Sequence, residues 1–180
     1  SRGANDLKEI FYKDTLEKAN GIANIFLDQH YGSNIRVATL LGSTPEHYIL
    51  KLALNKIGIS VVPINPDYLP DETSYLLEDS RATVAICSEL FLSQLKTAVN
   101  LKGISVPIVT YEEIDSLPRS QTVSSGVRIE GSTEASLLYT SGTTGRPKGC
   151  ILSHKYELMC GDVYANIGAP IGLSFGQDKI

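Results

Sequence analysis

The chain has 180 residues, 42% hydrophobic and 20% charged, and a formal net charge of −4. That length can bury a substantial core in one domain or a pair of small lobes, and the negative balance argues against nucleic acid or an anionic membrane as a partner. No apolar run approaches the roughly 18 residues needed to span a bilayer, the polar opening "SRGANDLKE" does not read as a signal peptide, and a cytoplasmic location is the default expectation.

In chain order, Asp14-x-x-Glu17 predicts a capping box for a helix with Leu16, Ala19, Ile22, Ala23 and Phe26 on one face, stopping near Gly32. "IRVATLLG" follows as a near-continuous apolar strand buried on both sides. Ser43 or Thr44 can cap the next helix, with Pro45 in its first turn and Gly58 at its end. "ISVVPI" is a strand whose exit is marked by Pro63 and Pro66. A helix over about 71–78, the strand "TVAIC", a helix over about 88–101 and the strand "VPIVT" complete the run. Residues 111–134 carry little periodicity and many Ser, Gly and acidic positions, which predicts a surface excursion. Strands alternating with helices imply a layered α/β fold with a mostly parallel sheet and right-handed crossovers.

Cys87, Cys150 and Cys160 form neither a CxxC pair nor an even set, so reduced, mostly buried thiols are expected. His30, His47 and His154 are scattered. His154 and Glu157 share a helical face but have no third ligand, so a solvent-facing or capping histidine is the better reading and no metal site is assigned. "LLGSTPEH" reads as an ordinary capped helix start. Glu78 with Asp79, and Glu112 with Glu113 and Asp115, read as solvated carboxylates, because neighbouring residues point to different faces. Tyr31, Tyr48, Tyr68 and Tyr75 read as packing or surface aromatics.

One segment stands apart. "YTSGTTGRPKG", residues 139–149, lies between the apolar runs "ASLLY" and "CIL", which predicts a loop strung between two short buried strands. Its glycines allow backbone N–H groups to converge, its hydroxyls add rotatable donors, and Arg146 and Lys148 add positive charge; together they suit a polyphosphate. It is not a Walker A loop, since Pro147 follows Gly142 by five residues and Gly149 follows Lys148. Nor is it a GxGxxG fingerprint, since Thr144 and Pro147 stand where glycines are required. Ligands of open α/β sheets collect at the carboxyl ends of strands, where this loop emerges.

"LLYTSGTTGRPKGCILSH" resembles the signature loop of the adenylate-forming (AMP-binding) superfamily, which comprises acyl- and aryl-CoA synthetases, adenylation domains of nonribosomal peptide synthetases, and luciferases. Residues 43–86, with "STPEHY", "LNKIG" and "VPINP", are similar to an earlier block of that family. Residues 10–28 match its opening loosely, with Thr15 where an acidic residue is usual. The resemblance implies the front part of a large N-terminal domain, spanning residues 1–180, with no C-terminal domain here. It also implies a reaction: a carboxylic acid is activated by ATP with Mg²⁺, pyrophosphate is released, and the acyl group passes to a thiol such as coenzyme A. In family terms Thr140, Ser141, Gly142, Thr143 and Thr144 would wrap the β- and γ-phosphates, and Lys148 would supply charge or hold the loop's shape. Gly145 belongs to the same cradle, though it, Pro147 and Gly149 are more conformational than contacting, and Arg146 sits at the variable position.

The family's adenine-binding segment with its acidic Mg²⁺ ligand, its ribose-binding aspartate, its hinge and its catalytic lysine have no counterpart in these 180 residues. The resemblance therefore implies that this chain alone is inactive, that the remainder of the same enzyme is its partner, and that the last helix leaves an apolar face uncovered. The alternatives are a stand-alone nucleotide- or pyrophosphate-binding module and a noncatalytic interaction domain that keeps the loop as a relic.

Overall fold

The computed structural model describes residues 10–118, 127–140 and 145–168. Six strands form one sheet: β1 (Arg36–Leu40), β2 (Ser60–Pro63), β3 (Val84–Cys87), β4 (Ile108–Thr110), β5 (Glu134–Thr140) and β6 (Lys148–Ser153). Their order across the sheet is β4-β3-β1-β2-β5-β6. Every neighbouring pair is parallel except β5 with β6, an antiparallel hairpin. The parallel, layered expectation holds, with one strand reversed at the edge.

Helices cover both faces, so the central strands are buried on each side, as their apolar runs required. On one face α1 (Tyr12–Asp28), α2 (Pro45–Lys56) and the short α5 (Tyr111–Ser116) pack Ile22, Phe26, Leu50 and Leu54 against Val37, Val61 and Ile86. On the other, α3 (Pro70–Ser80) and α4 (Leu92–Lys102) pack Leu76, Leu77 and Leu95 against Ala38, Leu40, Val62 and Leu137. Burying each such leucine is worth about 2 kcal/mol before the entropy of ordering is counted. Polar ties add to this packing: the Ser74 hydroxyl donates to the carbonyl of Ala98, joining α3 to α4 within one layer, and Asn55 of α2 donates to the carbonyls of Ile59 (3.0 Å) and, on the sheet, Ala135 (2.8 Å).

Local signals mostly act as the sequence implied. Thr44 caps α2, its hydroxyl accepting from the N–H of His47 at 3.4 Å, and Pro45 takes the first turn. Gly58, at φ +77°, ends that helix. "LLGSTPEH" is thus a capped helix start. Five expectations are corrected. The Asp14–Glu17 capping box does not form: α1 begins at Tyr12 behind Phe11, so Asp14 sits inside the first turn, where a carboxylate favours the helix dipole without capping it, and Leu16 is exposed. Instead of running to Gly32, α1 ends at Asp28, because His30 at φ 61° adopts the left-handed turn. A 3₁₀ turn at Glu89–Phe91 precedes α4. The start of the 111–134 excursion is helical, since Thr110 and Glu113 form a reciprocal cap that seats Tyr111 and Ile114 in the core. Finally, the strand after the glycine-rich loop is not buried: β6 lies at the sheet edge, and Lys148 to Ile151 are exposed.

After β6 comes α6 (His154–Asn166), capped by the Ser153 hydroxyl, which accepts from the N–H of Tyr156 at 3.3 Å. None of its residues is buried, and Tyr156, Met159, Val163 and Tyr164, spaced to share one side of the helix, are exposed, so an apolar face is uncovered among the described residues. Among the described residues no helix is long and apolar enough to cross a membrane.

Candidate functional site

The glycine-rich segment leaves the carboxyl end of β5 and returns as β6. Thr140 pairs with Lys148 across the hairpin, and Tyr139 with Gly149. Of the residues singled out in the sequence, Thr140, Gly145 and Lys148 are described, and Ser141, Gly142, Thr143 and Thr144 lie outside the described residues. Thr140 and Lys148 are therefore brought together at the neck of the loop, both exposed. Gly145 has φ +113°, a conformation side-chain-bearing residues rarely adopt. Gly149 is required for a different reason: a Cβ there would stand 2.9 Å from Leu137 Cδ1 and 3.4 Å from Tyr139 Cζ. Both glycines act on shape.

Beneath the hairpin, α3 supplies contacts that its sequence did not advertise. The Tyr139 hydroxyl donates to Asp79 at 2.6 Å, and the Tyr75 hydroxyl donates to the carbonyl of Pro147 at 3.1 Å. The Arg146 guanidinium lies 5.2 Å from the centre of the Tyr75 ring, and Tyr75 meets Tyr139 edge-on at 6.4 Å. Burial and the neighbouring Asp79 carboxylate hold the Tyr139 phenol above its ordinary range, so it remains a donor at neutral pH. Tyr75 is thus more than a packing aromatic and Asp79 more than a solvated carboxylate. Glu78, their neighbour, points away toward Lys102 at 3.5 Å. The one signal available in the sequence was the four-residue spacing of Tyr75 and Asp79, which places them on one side of a helix.

Two ion pairs fix β5 from the amino-terminal side of the loop. Arg36 donates to both oxygens of Glu134 at 2.7 and 2.8 Å, and the Ser60 hydroxyl adds a third bond at 2.7 Å. The Arg36 bond, with help from Ser60, outweighs burial and holds the Glu134 carboxyl below the usual range. Lys51 of α2 donates to Glu157 of α6 at 2.8 Å and to the Ser136 hydroxyl at 2.7 Å, while Ser136 donates to Glu157 at 2.6 Å. Burial pushes Glu157 up, but the bonds from Lys51 and Ser136 prevail and its carboxyl is lowered. His154, beside this pair, is half-buried rather than solvent-facing or capping. Its Nε2 is buried without a partner, and burial lowers the imidazole's pKa.

Elsewhere, Cys87 is buried and its thiol is pushed up to about 11 by desolvation, whereas Cys150 is exposed and Cys160 half-exposed, against the expectation of mostly buried thiols. A cleft of about 330 Å³ at the amino ends of the strands is lined by Arg36, Ser60 and Glu134, whose polar groups already satisfy one another. Among the described residues no group of three or more His, Cys, Asp or Glu gathers in a way that could hold a metal ion. What the described geometry offers chemically is a cationic, hydroxyl-flanked hairpin neck bonded to α3, at the carboxyl edge of a parallel sheet.

Residues 4–169 match the family described as AMP-binding enzyme. Tyrocidine synthase 1 of Brevibacillus parabrevis is 30% identical over 176 residues, which are 96% of this chain and 15% of that protein. A crotonobetaine/carnitine–CoA ligase of Citrobacter koseri is 30% identical over 173 residues, 89% of this chain and 33% of that protein. In three dimensions, the ATP-bound crystal structure of MatB from Rhodopseudomonas palustris superimposes with a TM-score of 0.75 at 23% identity, covering 88% of this chain and 32% of that one. The chain thus spans about a third or less of the length of these proteins.

Proposed function

Because the chain belongs to the family of AMP-binding enzymes, we propose that it forms the front part of the large domain of a longer enzyme that activates a carboxylic acid with ATP. In that reaction a carboxylate oxygen attacks the α-phosphorus, the bond from that phosphorus to the α–β bridging oxygen breaks, and pyrophosphate leaves as the acyl adenylate forms. Negative charge builds on the departing pyrophosphate, so donors and a cation held against it lower the barrier. The observation that carries this reading is the hairpin neck: Lys148 opposite Thr140, with the glycine- and hydroxyl-rich residues strung between them. Thr140, Ser141, Gly142, Thr143 and Thr144 hold the β- and γ-phosphates, Lys148 supplies charge, and Gly145 sets the turn. The Mg²⁺ that the reaction uses would neutralise phosphate charge, and no step is routed through it. The acyl acceptor is a thiol, coenzyme A in the first instance; the CoA ligase among the relatives supports this, whereas the tyrocidine synthase leaves a different thiol equally open.

Carboxylate-dependent exchange of labelled pyrophosphate into ATP by the full-length protein tests the reading directly. Across a panel of carboxylic acids at least one should support exchange, and Lys148→Ala should raise the KM for ATP by about 10- to 100-fold, as expected for losing a charge-assisted bond. MgATP binding without exchange for any acid would favour a stand-alone binding module. No binding of MgATP or pyrophosphate would leave only the relic reading.

A further inference from the structure

We propose that α3 is the mount of the phosphate-binding hairpin, with Tyr75 and Asp79 as positioning residues that set the separation and direction of Thr140 and Lys148. This rests on the reading of the loop as a grip for a triphosphate. Four residues apart, Tyr75 and Asp79 lie on one side of α3 and reach one stem of the hairpin each. Asp79 accepts from Tyr139, the residue before Thr140, and Tyr75 donates to the carbonyl of Pro147, the residue before Lys148. Each tie therefore sits next to one member of the Thr140–Lys148 pair. The ties reinforce each other, since the Tyr75 and Tyr139 rings meet edge-on and Tyr75 also carries the Arg146 guanidinium on its face.

The helix that offers these groups is fixed. Leu76 and Leu77, between the two ties, are at most 2% exposed, and the Ser74 hydroxyl bonds the carbonyl of Ala98 on α4. Pro147 has no N–H, so its carbonyl is the sole backbone group by which it can be tied, and Tyr75 uses it. Ordering a chain against a ligand costs conformational entropy. Stems already held in place reduce that cost, which should appear as affinity for the polyphosphate part of the nucleotide alone. Tyr75 and Asp79 thus act through the hairpin.

The test is calorimetric titration of the full-length protein with MgATP and, separately, with AMP. The variants are Tyr75→Phe, Asp79→Ala, Asp79→Asn and Tyr139→Phe, each first shown to unfold cooperatively, with Lys148→Ala as reference. Tyr75→Phe and Asp79→Ala should each raise the Kd for MgATP by about 3- to 10-fold, the range of one hydrogen bond, while the Kd for AMP stays within about twofold. Asp79→Asn, which keeps an acceptor for Tyr139, should recover part of the loss. Combining Asp79→Ala with Tyr139→Phe should cost little more than either alone, because the two share one bond. Parallel weakening of ATP and AMP would show a general structural role and overturn the proposal. So would unchanged MgATP affinity in all four variants while Lys148→Ala weakens it, with the loop reading left intact. If Lys148→Ala itself leaves MgATP binding unchanged, the loop reading fails and the proposal falls with it.

Discussion

At Lys51 a single ammonium ties together three elements: it lies on α2, and its partners Ser136 and Glu157 lie on β5 and α6. An ammonium has three donors and no acceptor, and the oxygens of Ser136, Glu157 and Asn55 use them. The pair is about 70% buried on each side, so removing one charge leaves the other poorly solvated. Glu157→Gln should therefore destabilise the fold by about 2 kcal/mol, measured as a shift in the urea midpoint. A shift of a few tenths would mean that α6 contributes little to holding β5. The sequence alone hid this role, because Lys51 and Glu157 are 106 residues apart, and in sequence Glu157 reads only as a companion of His154.

Among the elements, the parallel strands and their helices were legible because each carried a self-contained signal: a doubly buried apolar run, a Thr44–Pro45 start, or a glycine at a helix end. Misreadings arose where a local signal competed with packing. The Asp14–Glu17 pattern is a valid cap in isolation, yet α1 starts earlier, at Tyr12. A six-residue helix such as α5 is too short to show a period, and only the Thr110–Glu113 cap announced it. The apolar "CIL" run suggested a buried strand, but β6 has a neighbour on one side alone and no helix among the described residues covers Ile151, which is 58% exposed. Of the site, the loop was recognisable from its order of residues. Its mount on α3 was not, because side-chain bonds between elements 60 and 72 residues apart leave no trace in local composition.

For the whole molecule, the pH dependence of stability follows from groups whose protonation differs between folded and unfolded chain. Burial lowers the pKa of His47 and of His154, so between pH about 6.5 and their folded values the unfolded chain binds the extra protons. Stability should be greatest above pH about 6.5 and fall as pH drops below it. A second decline is expected below the usual carboxylate range, as the lowered carboxyls of Glu134 and Glu157 finally protonate and their ion pairs are lost. Urea midpoints from about pH 8 to about pH 2 check this, and His154→Gln should flatten the first decline. A midpoint that rises on acidification would contradict it.

The strand order has a consequence for how the domain comes into being. β1 to β4 are each joined by a helix and a short excursion, whereas β5 must find β2 across the residues from Pro63 to Glu134. Closing so long a span is slow relative to the local crossovers. Pulse-labelled hydrogen exchange during refolding should find the amides of β1 and β3 protected before those of β5; simultaneous protection would sink the idea. The β5–β6 hairpin, proposed above to hold the triphosphate, is then a late addition to a frame that consolidates without it, and errors in the hairpin need not prevent the frame from forming.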